Sequence, residues 1–179
     1  MVSEAPKTKG AVINGYLKFI KKKWGVTGLE DAMRFAGVDR FPKDAEWVPL
    51  EKPEKLLAWI YENKGEKQTT EAGKYATKDL GIFTYILVSL MSMDRFLKRA
   101  KETYYTFFNY GEFILEKTDD GAIITLKNSI KNKYSQYSKY SWKGAFMGIM
   151  EITGTKGTVE YIEPDSPYDF KYHLKWKRK

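Results

Sequence analysis

Few residues in this 179-residue chain can do acid-base or ligand chemistry. It has one histidine, His173, and no cysteine. A single imidazole excludes any mechanism or metal site that needs two, and the lack of thiols removes disulfides, thiolate ligands and cysteine nucleophiles. His173 lies between Tyr172 and Leu174 in an alternating stretch. There a half-exposed strand residue is a better reading than a metal or haem ligand or a pH-sensitive pocket group. The sequence contains no Walker-type phosphate loop, dinucleotide fingerprint, nucleophile elbow or two-histidine zinc helix. Its carboxylates stand in helix first turns or beside lysines, where solvation is the expected role, and Asp119 and Asp120 read as turn residues. These features point away from an enzyme.

The other chemically distinctive stretch is KNSIKNKYSQYSKYSWKG, from Lys127 to Gly144, which has five lysines, three tyrosines and no acidic residue. Tyr134, Tyr137 and Tyr140 recur at spacing three among Lys131, Lys133, Lys139 and Lys143. Rings interleaved with charge could stack bases and neutralise phosphates, each stacked base contributing about 1–3 kcal/mol. The same spacing also lines one side of a helical turn, with tyrosines packed down and lysines in water. The net charge of +8 is concentrated from Lys127 onward and in the tail Lys175 to Lys179, a field that would attract phosphates or anionic head groups. This basic segment is the basis of an alternative, nucleic-acid-binding reading.

The elements around these residues form a recognisable order. Residues 1–8 read as a flexible N-terminal tail without a secretory h-region, which leaves a cytoplasmic protein as the expectation. Gly10 to Trp24 is an amphipathic helix, and a second starts at Thr27, with Glu30 closing a capping box, and stops at Gly37. Residues 38–53 read as a loop. Pro53 opens a further helix with Leu56, Leu57, Trp59 and Ile60 on its apolar stripe, and Thr69 to Leu80 forms another. A central helix runs from Ile82 to about Phe108, with a break near Met93 and Asp94. Its apolar section, Gly81 to Met93, is too short to span a bilayer. From Gly111 the period changes to two: EFILEK and AIITLK flank Asp-Asp-Gly as a hairpin, WKGAFMGIMEITG is a helix, and TVEYIE with YDFKYHLKWK is a second hairpin. The fold class is therefore α+β. A helical half, about 9–110, packs on a small antiparallel sheet made of two hairpins with an intervening helix, about 111–179, in one domain.

Several of these pieces resemble the H-NOX family, the haem domains that sense nitric oxide and oxygen. The resemblance is carried by KGAVINGYLKFIKKKWGVTGLEDAMRFAGVD, by LVSLMSMDRFLKRAK and by the hairpin–helix–hairpin half. It extends to a wider superfamily that includes vinyl-reductase-type ligand-binding domains and subunits of the TRAPP tethering complex. In the haem-binding members a histidine follows a Met-Asp pair on the central helix; here Met93 and Asp94 are followed by Leu97 at that place. A leucine cannot ligate iron, and the Tyr-x-Ser-x-Arg motif that grips the propionates is missing. The resemblance thus implies the scaffold without haem and, by elimination, no cofactor.

What it further implies is an internal cavity between the central helix and the sheet. The expected lining is Leu87, Leu90, Met91, Met93, Phe96 and Leu97 on one side and Phe146, Met147 and Met150 on the other. The expected occupant is a hydrophobic small molecule or an acyl chain, in a sensing domain that is not an enzyme. A tethering module with a closed cavity is the alternative within the superfamily, and a homodimer or another protein would pair through the helices.

Overall fold

The computed structural model describes residues 5–79 and 92–177. Strand β1 (Lys7–Lys9) pairs antiparallel with β2 (Trp47–Pro49), Thr8 opposite Val48. The sequence reading placed Lys7 and Thr8 in a loose tail and residues 47–49 in a loop. Each stretch is too short to show an alternating pattern alone, so only the pairing reveals them as strands. Thr8 is tied further by its hydroxyl, which donates to the Phe107 carbonyl at 3.0 Å.

Helix α1 (Gly10–Ala36) and helix α2 (Glu51–Asp79) are each broken once, at Gly25 (φ 71°) and Gly65 (φ 83°), where only glycine sits without strain. The breaks separate the helices that the sequence predicts as distinct. α1 ends at Gly37, left-handed at φ 64°, whose N–H and that of Val38 close on the carbonyls of Arg34 and Met33. The first two turns of α1 are buried on all sides, from Gly10 to Leu17, where the sequence predicts a one-sided helix. The covering segment is 42–44: Asn14 Nδ2 donates at 2.8 Å to the Pro42 carbonyl and at 2.8 Å to Asp44 Oδ1. A hydrogen-bonded loop can cover apolar turns that periodicity alone assigns to solvent.

Helix α3 (Met93–Phe107) begins at Ser92, whose hydroxyl accepts from the Arg95 amide. It buries Met93, Phe96, Leu97, Ala100, Thr103, Tyr104 and Phe107, the spacing of a single stripe. The expected central helix from Ile82 falls largely in 80–91, outside the described residues. Strands β3 (Glu112–Thr118) and β4 (Gly121–Lys127) form the first hairpin around Asp119 and Asp120. Helix α4 (Ser138–Ile152), entered through a 3-10 turn at Ser135–Tyr137, follows, then β5 (Gly157–Ile162) and β6 (Phe170–Trp176). The sheet order is β3-β4-β6-β5, all antiparallel. Alternate residues of its central strands, Ala122, Ile124 and Leu126 with Phe170, Tyr172 and Leu174, face the core.

The architecture is α+β, with two apolar clusters. One is built from α1, α2 and β2, around Ile13, Leu17, Ile20, Leu56 and Ile60. The other joins α3, α4 and the sheet, around Phe96, Phe146, Ile149 and Tyr172. Phe108 packs against both. Helices α2 and α4 form the tightest seam between the halves. A Cβ on Gly73 would lie 2.0 Å from the Ser141 carbonyl oxygen, and one on Gly144 would lie 1.8 Å from that of Thr70. Glu151 on α4 closes the far end of this seam by pairing with Lys74 and Lys78.

Candidate functional site

A cavity of about 80 Å³ lies where the two clusters meet. Val12 and Tyr16 reach it from α1, Glu54 and Leu57 from the first arm of α2, and Gly73 and Ala76 from the second arm. Glu54 and Ala76 would be about 33 Å apart on a straight helix at 1.5 Å per residue. That both border one small cavity means α2 turns back on itself at Gly65. Much of the remaining wall is aromatic: Phe96, Tyr104 and Phe107 from α3, Phe108, Tyr110 and Phe113 beyond it, and Trp142 and Phe146 from α4. Tyr104, Phe108 and Trp142 pack on one another, with ring centroids 5.0–5.9 Å apart.

Within this wall the polar groups are few and most are mutually satisfied. Tyr16 and Ser141 share a hydroxyl–hydroxyl hydrogen bond of 2.8 Å, and the Tyr104 hydroxyl donates to the Tyr110 carbonyl at 2.9 Å. Burial pushes the Tyr16 phenol up to about 12, with the Ser141 hydrogen bond acting against it. Burial likewise lifts the phenols of Tyr104 and Tyr110 far above their ordinary value. All three remain neutral phenols near pH 7.

Glu54 is the exception. It is 2% exposed. Its Oε2 accepts from Asn132 Nδ2 at 2.8 Å, whereas buried Oε1 has no hydrogen-bond partner. A position in the first turn of α2 should favour the carboxylate. Burial wins: it pushes the carboxyl up to about 7, with hydrogen bonds from Ser135 and Asn132 holding part of the rise back and the charge of Glu51 adding to it. The loop that supplies these bonds is itself shaped by Ser135, whose hydroxyl accepts from the amides of Lys131 and Asn132.

Of the residues expected to line a cavity, Phe96 and Phe146 are in this wall. Met93, Leu97 and Met150 are buried in the sheet-side cluster without reaching it, and Met147 packs at that cluster's margin. Leu87, Leu90 and Met91 lie outside the described residues. The sequence reading passed over Glu54, because a carboxylate in a helix first turn is ordinarily solvated. One signal was available: Glu54 falls four residues after Leu50 and three before Leu57, on the apolar stripe.

The basic stretch is placed equally clearly. Tyr137 and Tyr140 pack on Tyr61 of α2 at 5.0 and 5.1 Å, and Tyr134 meets Phe35 edge-on. Lys133 and Lys139 lie over Tyr134 and Tyr140, Lys131 is exposed and Lys143 half-buried. The tyrosines thus face the helices of the other half. His173 is on β6, away from the cavity wall, with Nε2 3.0 Å from Asp120 Oδ1 and 3.3 Å from Thr118 Oγ1. Among the described residues no group of three His, Cys, Asp or Glu could hold a metal ion, and no helix is long and apolar enough to cross a membrane.

The fold is that of the H-NOX domains. A doubly substituted Tt H-NOX superposes with a TM-score of 0.72 at 15% identity, covering 95% of both chains. An oxygen-binding H-NOX domain related to soluble guanylate cyclases superposes at 0.69 and 16% identity, again with 95% of both chains covered. A substituted H-NOX from T. Tengcongensis gives 0.62 at 15%, with 95% of this chain and 98% of that one covered. No protein-family model matches the sequence, and no curated protein does.

Proposed function

We propose that this chain is a non-enzymatic, small-molecule-sensing domain built on the H-NOX fold, and that it works without haem. The observation that carries the reading is the interior cavity between the two halves, lined by apolar and aromatic side chains, several hydroxyls and a buried carboxyl with one oxygen unpartnered. A buried polar atom left unpaired costs about 1–3 kcal/mol, a cost that a fold tolerates where a ligand can relieve it.

Three features speak against haem. The chain has no cysteine, and its lone histidine is engaged by Asp120 and Thr118 away from the cavity. Among the described residues of the wall tyrosine is the remaining ligand type, and ligation requires a phenolate, which burial disfavours at all three positions. The volume, about 80 Å³, is well below the roughly 300–1,000 Å³ typical of pockets for drug-sized ligands, so it suits neither a macrocycle nor a long acyl chain. The residues do not fit haem. Ser141 has no base to activate it: it meets Tyr16, a neutral phenol that cannot take up a proton near neutral pH.

The test uses the purified full chain. Hemin titration should give no stoichiometric, saturable Soret band, and denaturing mass spectrometry should detect a co-purified compound of low mass. A saturable Soret band at one equivalent would overturn the haem-free reading. An empty protein that binds no small molecule would leave the fold as a tethering scaffold.

A further inference from the structure

We infer that the cavity selects small organic amines, holding a ligand's N–H donor on Glu54 Oε1 with its hydrocarbon part against the aromatic wall. The inference rests on the reading that the cavity binds small molecules, and it specifies which ones. Glu54 is nearly inaccessible to solvent and its free oxygen can only accept a hydrogen bond when ionised, so the ligand must donate. No lysine, arginine or histidine is among the described residues of the wall, so nothing there answers an anionic head group. A carboxylate or phosphate brought in would meet Glu54 unscreened, whereas an ammonium would relieve it.

Size limits the class further. A dry apolar cavity of about 150 Å³ takes benzene, so about 80 Å³ corresponds to a ligand of only a few heavy atoms. The carboxyl is also set up to respond to its ligand. The groups that face it are Asn132 and Ser135 from the loop before α4, Glu51 from its own helix, and the neutral phenols of Tyr16 and Tyr110. None is a cation, so the ligand's own charge is what would stabilise the ionised form. A cationic ligand and a deprotonated Glu54 therefore favour each other, and affinity should rise as pH increases through about 7.

Three small three-carbon probes test this on the full chain by calorimetric titration at pH 8: n-propylammonium, 1-propanol and propionate. Propylammonium should bind at least about tenfold more tightly than 1-propanol, the difference expected for a charge-assisted hydrogen bond, and propionate should not bind. The preference should shrink at pH 6. Glu54→Gln should remove it. If 1-propanol binds and propylammonium has no advantage, the amine inference fails and the small-molecule reading stands. If propionate binds best, the amine inference fails as well. If none of the three binds, both fail. The comparison among probes needs only the unmodified protein, so it does not depend on the variant folding.

Discussion

Replacing Gly73 by alanine should be one of the more damaging single-methyl changes available in this protein. The added Cβ would stand 2.0 Å from the Ser141 carbonyl oxygen and 2.7 Å from the Ser141 Cα, both backbone atoms of the facing helix. No side-chain rotation relieves that clash, so α2 and α4 must separate until the contact reaches about 3.4 Å. Overpacking of this kind costs about 1–3 kcal/mol. The shift also moves Ser141 relative to Tyr16, whose 2.8 Å hydrogen bond contributes about 1 kcal/mol. Against this, alanine gains about 1 kcal/mol over glycine in helix propensity. The expected net loss is about 2 kcal/mol, or about 4–8 °C in Tm for a chain of this size. The control is Gly148→Ala on α4, where the new carbon would meet the Lys74 carbonyl at 3.1 Å, and its propensity gain should roughly offset the squeeze. Urea unfolding of both variants measures the difference. If Gly73→Ala unfolds at the same denaturant concentration as Gly148→Ala, the seam is not a close backbone contact and the cavity geometry built on it is wrong.

Glu54 makes stability depend on pH in the reverse of the usual carboxylate sense. Its folded value of about 7 lies above the ordinary 4.5, so the stability it confers is fully present below 4.5 and is lost as pH rises through 7. The loss should be on the order of 3 kcal/mol, seen as a slope in wild-type urea midpoints that Glu54→Gln flattens. Phe146→Ala deletes a ring, 1% exposed, that packs on Trp142 and Tyr172, and should cost about 3–5 kcal/mol in urea unfolding. Exchanging Lys131, Lys133, Lys139 and Lys143 together for glutamine should change stability by less than about 1 kcal/mol. Because the neighbouring tyrosines face Tyr61 and Phe35, the unmodified protein should lose any binding to single-stranded DNA steeply as salt rises. Salt-resistant binding in a filter or anisotropy assay would contradict that placement.

Much of the fold was readable because its signals are local. Gly25, Gly37 and Gly65 mark the helix breaks and end, Asp119 and Asp120 mark the hairpin, and the α3 stripe from Met93 to Phe107 follows the helical period. Strands β1 and β2 were not readable: three residues each carry no period, and what defines them is pairing across some forty residues. The cavity was legible only in part. Phe96 and Phe146 follow from apolar faces, but Leu97 and Met150 have the same signature and pack into the sheet-side cluster instead, because apolarity does not say which neighbour a face will meet. Glu54 was hidden for a different reason. Its place on the stripe between Leu50 and Leu57 hints at burial, but the partner that engages it, Asn132, comes from a loop nearly eighty residues away, and no local pattern encodes that.

The turn at Gly65 has a mechanical meaning. It divides the cavity wall between two arms of one helical hairpin, Glu54 and Leu57 on one and Gly73 and Ala76 on the other. The second arm is locked to α4 through glycine contacts with no slack. The first is held to the opposite half at Glu54 and Asn132 by a hydrogen bond that depends on how that carboxyl is engaged. The hairpin is therefore fastened to the other half by its backbone on one arm and by side chains on the other, through Glu54, Tyr61 and Glu62, so different kinds of substitution would loosen each.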